Sequence, residues 1–321
     1  MSTAYRTLTV HEAAERLVAI DRPLILTHRN PDGDTVGSAA ALLAFYRALG
    51  REAFYAAEGE IPERLAFLLE GERRAQPPFE GLTPVAVDVA SPAQLGALQE
   101  QLAEGTVALS IDHHAVGVPF ADTLCMPDAS STGEVLFHVL TDPAARAAAP
   151  MSPAVAGALY ASVASDTGGF RFANTSPDTH RIAAKLLSFG FDAADICHRL
   201  FFSRSAAQLR AEGLTALALR HEGAIAYAVI TKEMRDDEQL TFDDFDCAID
   251  VVRSLRGCEI AFVVKETDAG SSKISLRSTG ADVARIAAAL GGGGHIRAAG
   301  CSQETPPNEA AARILALLRE V

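Results

Sequence analysis

From residue 11 to about 190, short apolar runs alternate with stretches of helical periodicity, the pattern expected of βα units built on a parallel sheet. Leu24 to Leu26, Val85 to Val87 and Val107 to Ile111 read as buried strands. A helix is predicted from near Thr35, with Val36, Ala39, Ala40, Leu42, Leu43, Phe45 and Ala48 on its apolar side, to a stop at Gly50. Ser131 and Glu134 have capping-box spacing ahead of Val135 to Leu140, and Ser152-Pro153 opens a helix running toward Asp166. Ser176-Pro177 starts another that closes at Gly190. After Asp192 the chain reads helical to about Arg220, with Gly213 as its weak point.

A second unit begins near residue 222. It holds strand-like runs at Ala224 to Ile230, Glu259 to Val264 and Lys273 to Leu276, with helical patterns at 243–255, 281–290 and 308–319. The fold class is therefore α/β: a mainly parallel-sheet N-terminal domain (1–195), a helical linker (196–221) and a smaller α/β domain (222–321), with the active-site cleft expected between the domains.

With 321 residues, 49% of them hydrophobic, the chain has material for two packed cores. The five cysteines are scattered and form no CxxC pair, as in a reducing cytosol. No window reaches the apolar length needed to cross a bilayer, so a cytoplasmic protein with no membrane partner is expected. A net charge of −13 argues against wrapping long nucleic acid, duplex included. An anionic substrate must then be small, or held by a local positive field that bound cations could supply. A homodimer stays open.

Each apolar run ends in metal-type side chains. The first leads into His28-Arg29-Asn30-Pro31-Asp32-Gly33-Asp34, the second into Asp88, the third into Asp112-His113-His114. Carboxyl ends of neighbouring parallel strands share one sheet edge, so these residues can converge on one crevice. Aspartate and histidine suit Mn²⁺, Mg²⁺ or Zn²⁺. Taken singly, PDG is an ordinary turn, Asp88 an ordinary helix cap and the histidine pair ordinary loop residues. Together they would bury several like charges, which is costly unless cations neutralise them. Two ions about 3.5–4 Å apart would do so and would serve in-line attack on a phosphate, with Asp88 the natural bridging carboxylate.

In the C-terminal unit, the glycines at 291–294 allow close backbone approach to a phosphate or base, and exposed amides there can bind anions. His295 and Arg297 add donors. The competing reading is a helix-terminating loop after Leu290. Arg277, with Ser275 and Ser278, sits at a strand end where a guanidinium can grip phosphate, unless it is simply solvated. Arg171 and Asn30 can equally brace loops, and His138, His180, His198 and His221 have no ligand spacing.

HRNPDGDTVGS, the lone Asp88, Asp112-His113-His114 and SDTGGFRF at 165–172 resemble the four successive motifs of the DHH phosphoesterase superfamily. GGGGHIRAAG at 291–300 resembles the nucleotide-binding signature of its associated C-terminal domain. Length and two-domain plan are similar to the nanoRNase and pAp phosphatase branch, the NrnA-like proteins. The resemblance implies an enzyme with two Mn²⁺ ions, Mg²⁺ being an alternative. His28, Asp32 and Asp88 would hold one ion, and Asp34, Asp88, His113 and Asp166 the other. Asp112 would orient its neighbours and His114 would face the scissile phosphate, giving Asp88, Asp112, His113 and His114 as the catalytic set. Arg277, Ser278, Gly293, Gly294, His295 and Arg297 would bind substrate: short single-stranded RNA or DNA oligonucleotides of 2–5 nucleotides, and pAp. A RecJ-like exonuclease, a cyclic-dinucleotide phosphodiesterase and a nucleotide sensor without turnover are the competing readings. The glycine-rich signature speaks against a family II pyrophosphatase.

Overall fold

Leu24 and Leu26 on one face of the first strand, and Ile25 on the other, are all fully buried, so this strand has no solvent face. The computed structural model describes residues 5–103 and 105–319, and only the backbone of His295. The chain divides into two compact units, Met1–Ser203 and Arg204–Val321.

The first unit runs α1 (Val10–Ala19), β1 (Pro23–Leu26), α2 (Gly33–Ala48), β2 (Phe54–Ala56), α3 (Glu63–Ala66), β3 (Thr83–Val87), α4 (Ala97–Gln101), β4 (Leu109–Asp112), β5 (Thr123–Cys125), α5 (Thr132–Thr141), α6 (Pro143–Ala148), α7 (Pro153–Asp166), α8 (Pro177–Leu187) and α9 (Ala193–Phe201). Its five strands form a wholly parallel sheet in the order β2-β1-β3-β4-β5. Ile25, Val85, Val87, Leu109 and Ile111 pack with α1, α2, α5 and α7 on one face. Leu24, Leu26, Ala86, Leu95 and Leu98 form a smaller core on the other.

Helix α2 is buried from Gly33 to Tyr46, so it runs through the interior rather than along the surface. It can lie against α7 because glycines face that helix. A Cβ on Gly37 would stand 2.8 Å from the Ser162 nitrogen and 2.9 Å from the Ala158 oxygen. One on Gly133, in α5, would stand 2.0 Å from Ser162 Oγ.

The second unit contains α10 (Ala206–Ala218), β6 (Arg220–Glu222), β7 (Ile225–Ile230), α11 (Lys232–Asp237), α12 (Ala248–Arg253), β8 (Ile260–Glu266), β9 (Ser272–Ser278), α13 (Val283–Ala289), β10 (Gly293–His295), β11 (Ala298–Gln303) and α14 (Pro307–Leu318). Its sheet has the order β10-β11-β9-β8-β7-β6, antiparallel except for the β7–β8 pair. Phe262, Val264, Ile274 and Leu276 pack with α13 and α14, while Ala226, Ala228, Ala261 and Val263 pack with α10 and α12.

The α/β fold class read from the sequence holds in both units. Two local expectations change. The helix expected from Asp192 to Arg220 breaks at 202–205 rather than at Gly213, which lies inside α10. Ser205 and Gln208 form a capping box there: Gln208 N donates to Ser205 Oγ and Ser205 N to Gln208 Oε1, both at 3.0 Å. The glycine run is also not all loop, since Gly293 and Gly294 belong to β10, in register with Gly300 and Ala299 of β11. Among the described residues no helix is long and apolar enough to cross a membrane.

Candidate metal centre

The three ligand-bearing strands are consecutive in space, because β3 lies between β1 and β4. Their carboxyl ends deliver Thr27-His28, Asp88 and Asp112-His113-His114 to one edge. The step from β1 to β3 is where the strand order reverses, which opens a crevice in such sheets. Asp32 caps α2, its Oδ1 accepting from the Asp34 and Thr35 amides at 3.0 and 3.1 Å. Thr35 Oγ1 donates to the Val87 carbonyl (3.0 Å), tying this helix start to the end of β3. Asp166, the last residue of α7, arrives from the other side.

The donor atoms form three groups, His28/Asp32/Asp88, Asp34/His113/Asp166 and Asp88/His113/His114, each with its members within 4.8 Å of one another. His28 Nε2 lies 3.6 Å from Asp32 Oδ1 and 3.5 Å from Asp88 Oδ2. His113 Nε2 lies 3.6 Å from Asp34 Oδ2, 3.7 Å from Asp88 Oδ1 and 3.8 Å from Asp166 Oδ2. These spacings are too long for hydrogen bonds. They are close to what donors about 2.2 Å from a shared ion need. His113 Nδ1 sits 3.2 Å from the Ala129 carbonyl, a contact that orients the ring with Nε2 toward the carboxylates. Hard oxygen and imidazole donors in this arrangement suit a divalent cation.

The carboxylates have a second layer of partners that the sequence reading did not single out. Asp34 accepts from the Thr132 amide (2.8 Å), the Gly133 amide (3.2 Å), Ser38 Oγ (3.3 Å) and Ser162 Oγ. Asp88 Oδ1 accepts from Thr132 Oγ1 at 3.1 Å. Asn174 Nδ2 donates to Asp166 Oδ2 (3.2 Å) and to the Ser130 carbonyl (3.0 Å). Asp112 Oδ1 accepts from the His113 amide (2.9 Å) and from His114 Nδ1 (2.7 Å), which sets the imidazole's orientation. The available signal was Ser-Ser-Thr-Gly opening α5, since amides at a helix start favour anions.

Titration behaviour follows from this crowding. Burial disfavours the charged form of His28, but the neighbouring Asp32 and Asp88 carboxylates outweigh it and push the pKa to about 10. The Asp112 hydrogen bond drives His114 up to about 9 against burial. Burial and the Asp88 and Asp32 charges push Asp166 up to about 7. Asp34 is raised well above its ordinary range by burial and by Asp88 and Asp166.

The residues expected to bind substrate all belong to the second unit. The β11–β9 register sets Ala298 opposite Arg277, and the Ser278 amide donates to the Arg297 carbonyl at 3.0 Å. Arg277, Ser278 and the β10–β11 turn therefore gather at one end of that sheet. Burial lowers the Arg277 pKa, with Asp250 opposing and Arg253 adding to the effect. Gly294, at φ 142, approaches β11 so closely that a Cβ would meet the Ala298 oxygen at 2.5 Å, whereas a Cβ on Gly293 meets nothing within 4 Å. The side chain of His295 lies outside the described residues.

Residues 22–163 match the DHH family, N-terminal domain, and residues 222–321 match the DHHA1 domain. The chain is 32% identical over 316 residues to the bifunctional oligoribonuclease and PAP phosphatase NrnA of Thermus thermophilus, covering 96% of this chain and 92% of that protein. This chain belongs to the DHH family. The DHH protein described here is also 25% identical over 285 residues to the NrnA of Bacillus subtilis, covering 88% and 89% of the two chains. Its fold matches an exopolyphosphatase-related protein from Bacteroides fragilis with a TM-score of 0.88 at 22% identity, over 96% of each chain. Both of these curated relatives are NrnA proteins, and the chain is also 27% identical over 318 residues to the cyclic-di-AMP phosphodiesterase GdpP of Geobacillus thermodenitrificans, covering 92% of this chain and 46% of that protein.

Proposed function

We propose that this chain is a phosphoesterase using two divalent ions, Mn²⁺ by preference and Mg²⁺ as substitute, to cut short oligonucleotides to mononucleotides and to remove the 3′-phosphate of pAp. The observation that carries this reading is the buried Asp88, whose Oδ2 faces His28 while its Oδ1 faces His113. One carboxylate thereby serves two donor groups. In this reading His28, Asp32 and Asp88 hold one ion and Asp34, Asp88, His113 and Asp166 the other. Bound there, such a pair activates water and neutralises charge building on the phosphate oxygens.

The chain's own residues do the rest. Asp112 keeps His114 oriented and charged, so that it faces the phosphate as a cationic donor. Arg277, Ser278, Gly293, Gly294, His295 and Arg297 of the second domain (222–321) bind the nucleotide, and the first domain (1–195) hydrolyses it. The acidic chain favours short single strands and pAp over long duplexes, and its five unpaired cysteines fit the cytoplasm.

The test is a panel of labelled di- to pentanucleotides, long single strands, cyclic dinucleotides and pAp, with and without Mn²⁺. Mn²⁺-dependent release of mononucleotides and of AMP, abolished in Asp88→Asn, is expected. Binding of these ligands without turnover by Mn²⁺-loaded protein would overturn the proposal.

A further inference from the structure

One residue outside the donor groups touches two of them. Thr132 is fully buried, as are Asp34 and Asp88 within 2% exposure. Its amide donates to Asp34 Oδ2 at 2.8 Å, and its hydroxyl to Asp88 Oδ1 at 3.1 Å. Because a carboxylate only accepts, the hydroxyl proton must point at Asp88.

The segment that presents Thr132 is itself locked. Ser131 caps α5, accepting from the Glu134 amide at 3.1 Å. The buried Glu134 Oε2 accepts from Ser130 Oγ (2.6 Å), the Ser130 amide (3.2 Å) and Thr179 Oγ1 (3.0 Å), anchoring the segment to α8. Asp88, by contrast, sits at a left-handed φ of 61° immediately after β3. Its backbone is held by a hydrogen bond from its amide to the Ile111 carbonyl at 2.9 Å. That bond does not decide how the carboxylate plane is turned about χ2, which is a soft, two-fold torsion. The Thr132 hydroxyl decides it, by taking one lone pair of Oδ1. Oδ1 is otherwise left toward His113 Nε2 and His114 Nδ1, each 3.7 Å away, and Oδ2 toward His28.

We infer that Thr132 is a positioning residue that holds Asp88 in the orientation needed to serve both donor groups at once. The inference rests on the two-ion reading above. Without the hydroxyl, the carboxylate turns toward one group, one ion keeps its ligands, and the other is held by an incomplete set. Partners of ligating carboxylates commonly contribute about 10- to 100-fold in metal affinity, which sets the size of the effect.

The experiment compares wild type, Thr132→Ser and Thr132→Val by Mn²⁺ titration calorimetry and by electron paramagnetic resonance of the Mn²⁺-loaded proteins. Valine keeps the shape and removes only the donor; serine keeps the donor. Wild type and Thr132→Ser are expected to bind two Mn²⁺ with a spin-coupled spectrum. Thr132→Val is expected to keep one tight site, lose about 10- to 100-fold at the other and show the six-line signal of isolated Mn²⁺, with an unchanged circular dichroism spectrum. Two tight, coupled ions in Thr132→Val would overturn the inference. Fewer than two in wild type would instead sink the two-ion reading, and this inference with it. Should Thr132→Val not fold, Thr132→Ala removes the same donor with less crowding and is judged by the same outcomes.

Discussion

Adding one methyl group to Gly37 should destabilise the first unit, whereas adding one to Gly213 should stabilise the second. Both glycines lie within helices, where alanine is better by about 1 kcal/mol. At Gly213 a Cβ meets nothing within 4 Å, so Gly213→Ala should keep most of that gain. At Gly37 the Cβ lands 2.8 Å from one backbone atom of α7 and 2.9 Å from another, and backbone inside two buried helices has nowhere to retreat. Overpacking of this kind costs about 1–3 kcal/mol, and the upper end applies when backbone must move. Gly37→Ala should therefore lose about 2 kcal/mol net after the propensity gain. For a unit of about 200 residues that is a fall in Tm of about 4–8 °C. Scanning calorimetry in chelator reads both variants without interference from metal. Because Ser162, whose hydroxyl donates to Asp34, is among the groups pushed aside, Gly37→Ala should also weaken Mn²⁺ binding. A Gly37→Ala protein as stable as the parent would refute the close-approach reasoning.

Metal removal has its own signature: an ion bound only by the folded state, present at 100 times its Kd, adds about 2.7 kcal/mol per site, so chelator should lower the Tm of the first unit and spare the second. Proton linkage gives a second check. His28, at about 10, and Asp166, at about 7, hold protons in the metal-free protein that an ion must displace. Mn²⁺ affinity should therefore rise with pH, most steeply below about 7 where both groups release protons on binding. Calorimetry in buffers of differing ionisation enthalpy counts those protons; a pH-independent affinity between 6 and 8 would contradict the arrangement. Ser205→Ala should cost the second unit about 1 kcal/mol through loss of the cap, seen as a lower urea midpoint.

How far the site could be read in advance depended on where each residue's information lies. His28, Asp88, Asp112 and His113 follow apolar runs, and a parallel sheet sends the ends of such runs to one edge, so a local pattern implied a distant meeting. Ser38, Thr132, Gly133, Ser162 and Asn174 carry no such mark. They are small polar residues on helices and loops, and only the approach of α2, α5 and α7 turns their hydroxyls and amides toward Asp34, Asp88 and Asp166. Strand β10 was obscured for a related reason. Glycine disfavours extended structure, yet here the β10–β11 pairing requires it, since β11 lies close enough to exclude a Cβ at Gly294. The break after α9 was visible in Ser205 and Gln208, but Gly213 drew attention because glycine punctuates helices more often than serine does.

The left-handed turn of the chain at Asp88 leaves that position almost no substitutional freedom. Glycine would ease the backbone and forfeit the carboxylate. Asparagine would tolerate the same φ but bring an amide where an anion must stand. Glutamate keeps the charge but, on a longer arm, would shift the carboxylate from the buried place where it meets Thr132, and its backbone is less forgiving. Ancestry and laboratory selection alike should find residue 88 immovable while its neighbours on β3 trade one aliphatic side chain for another.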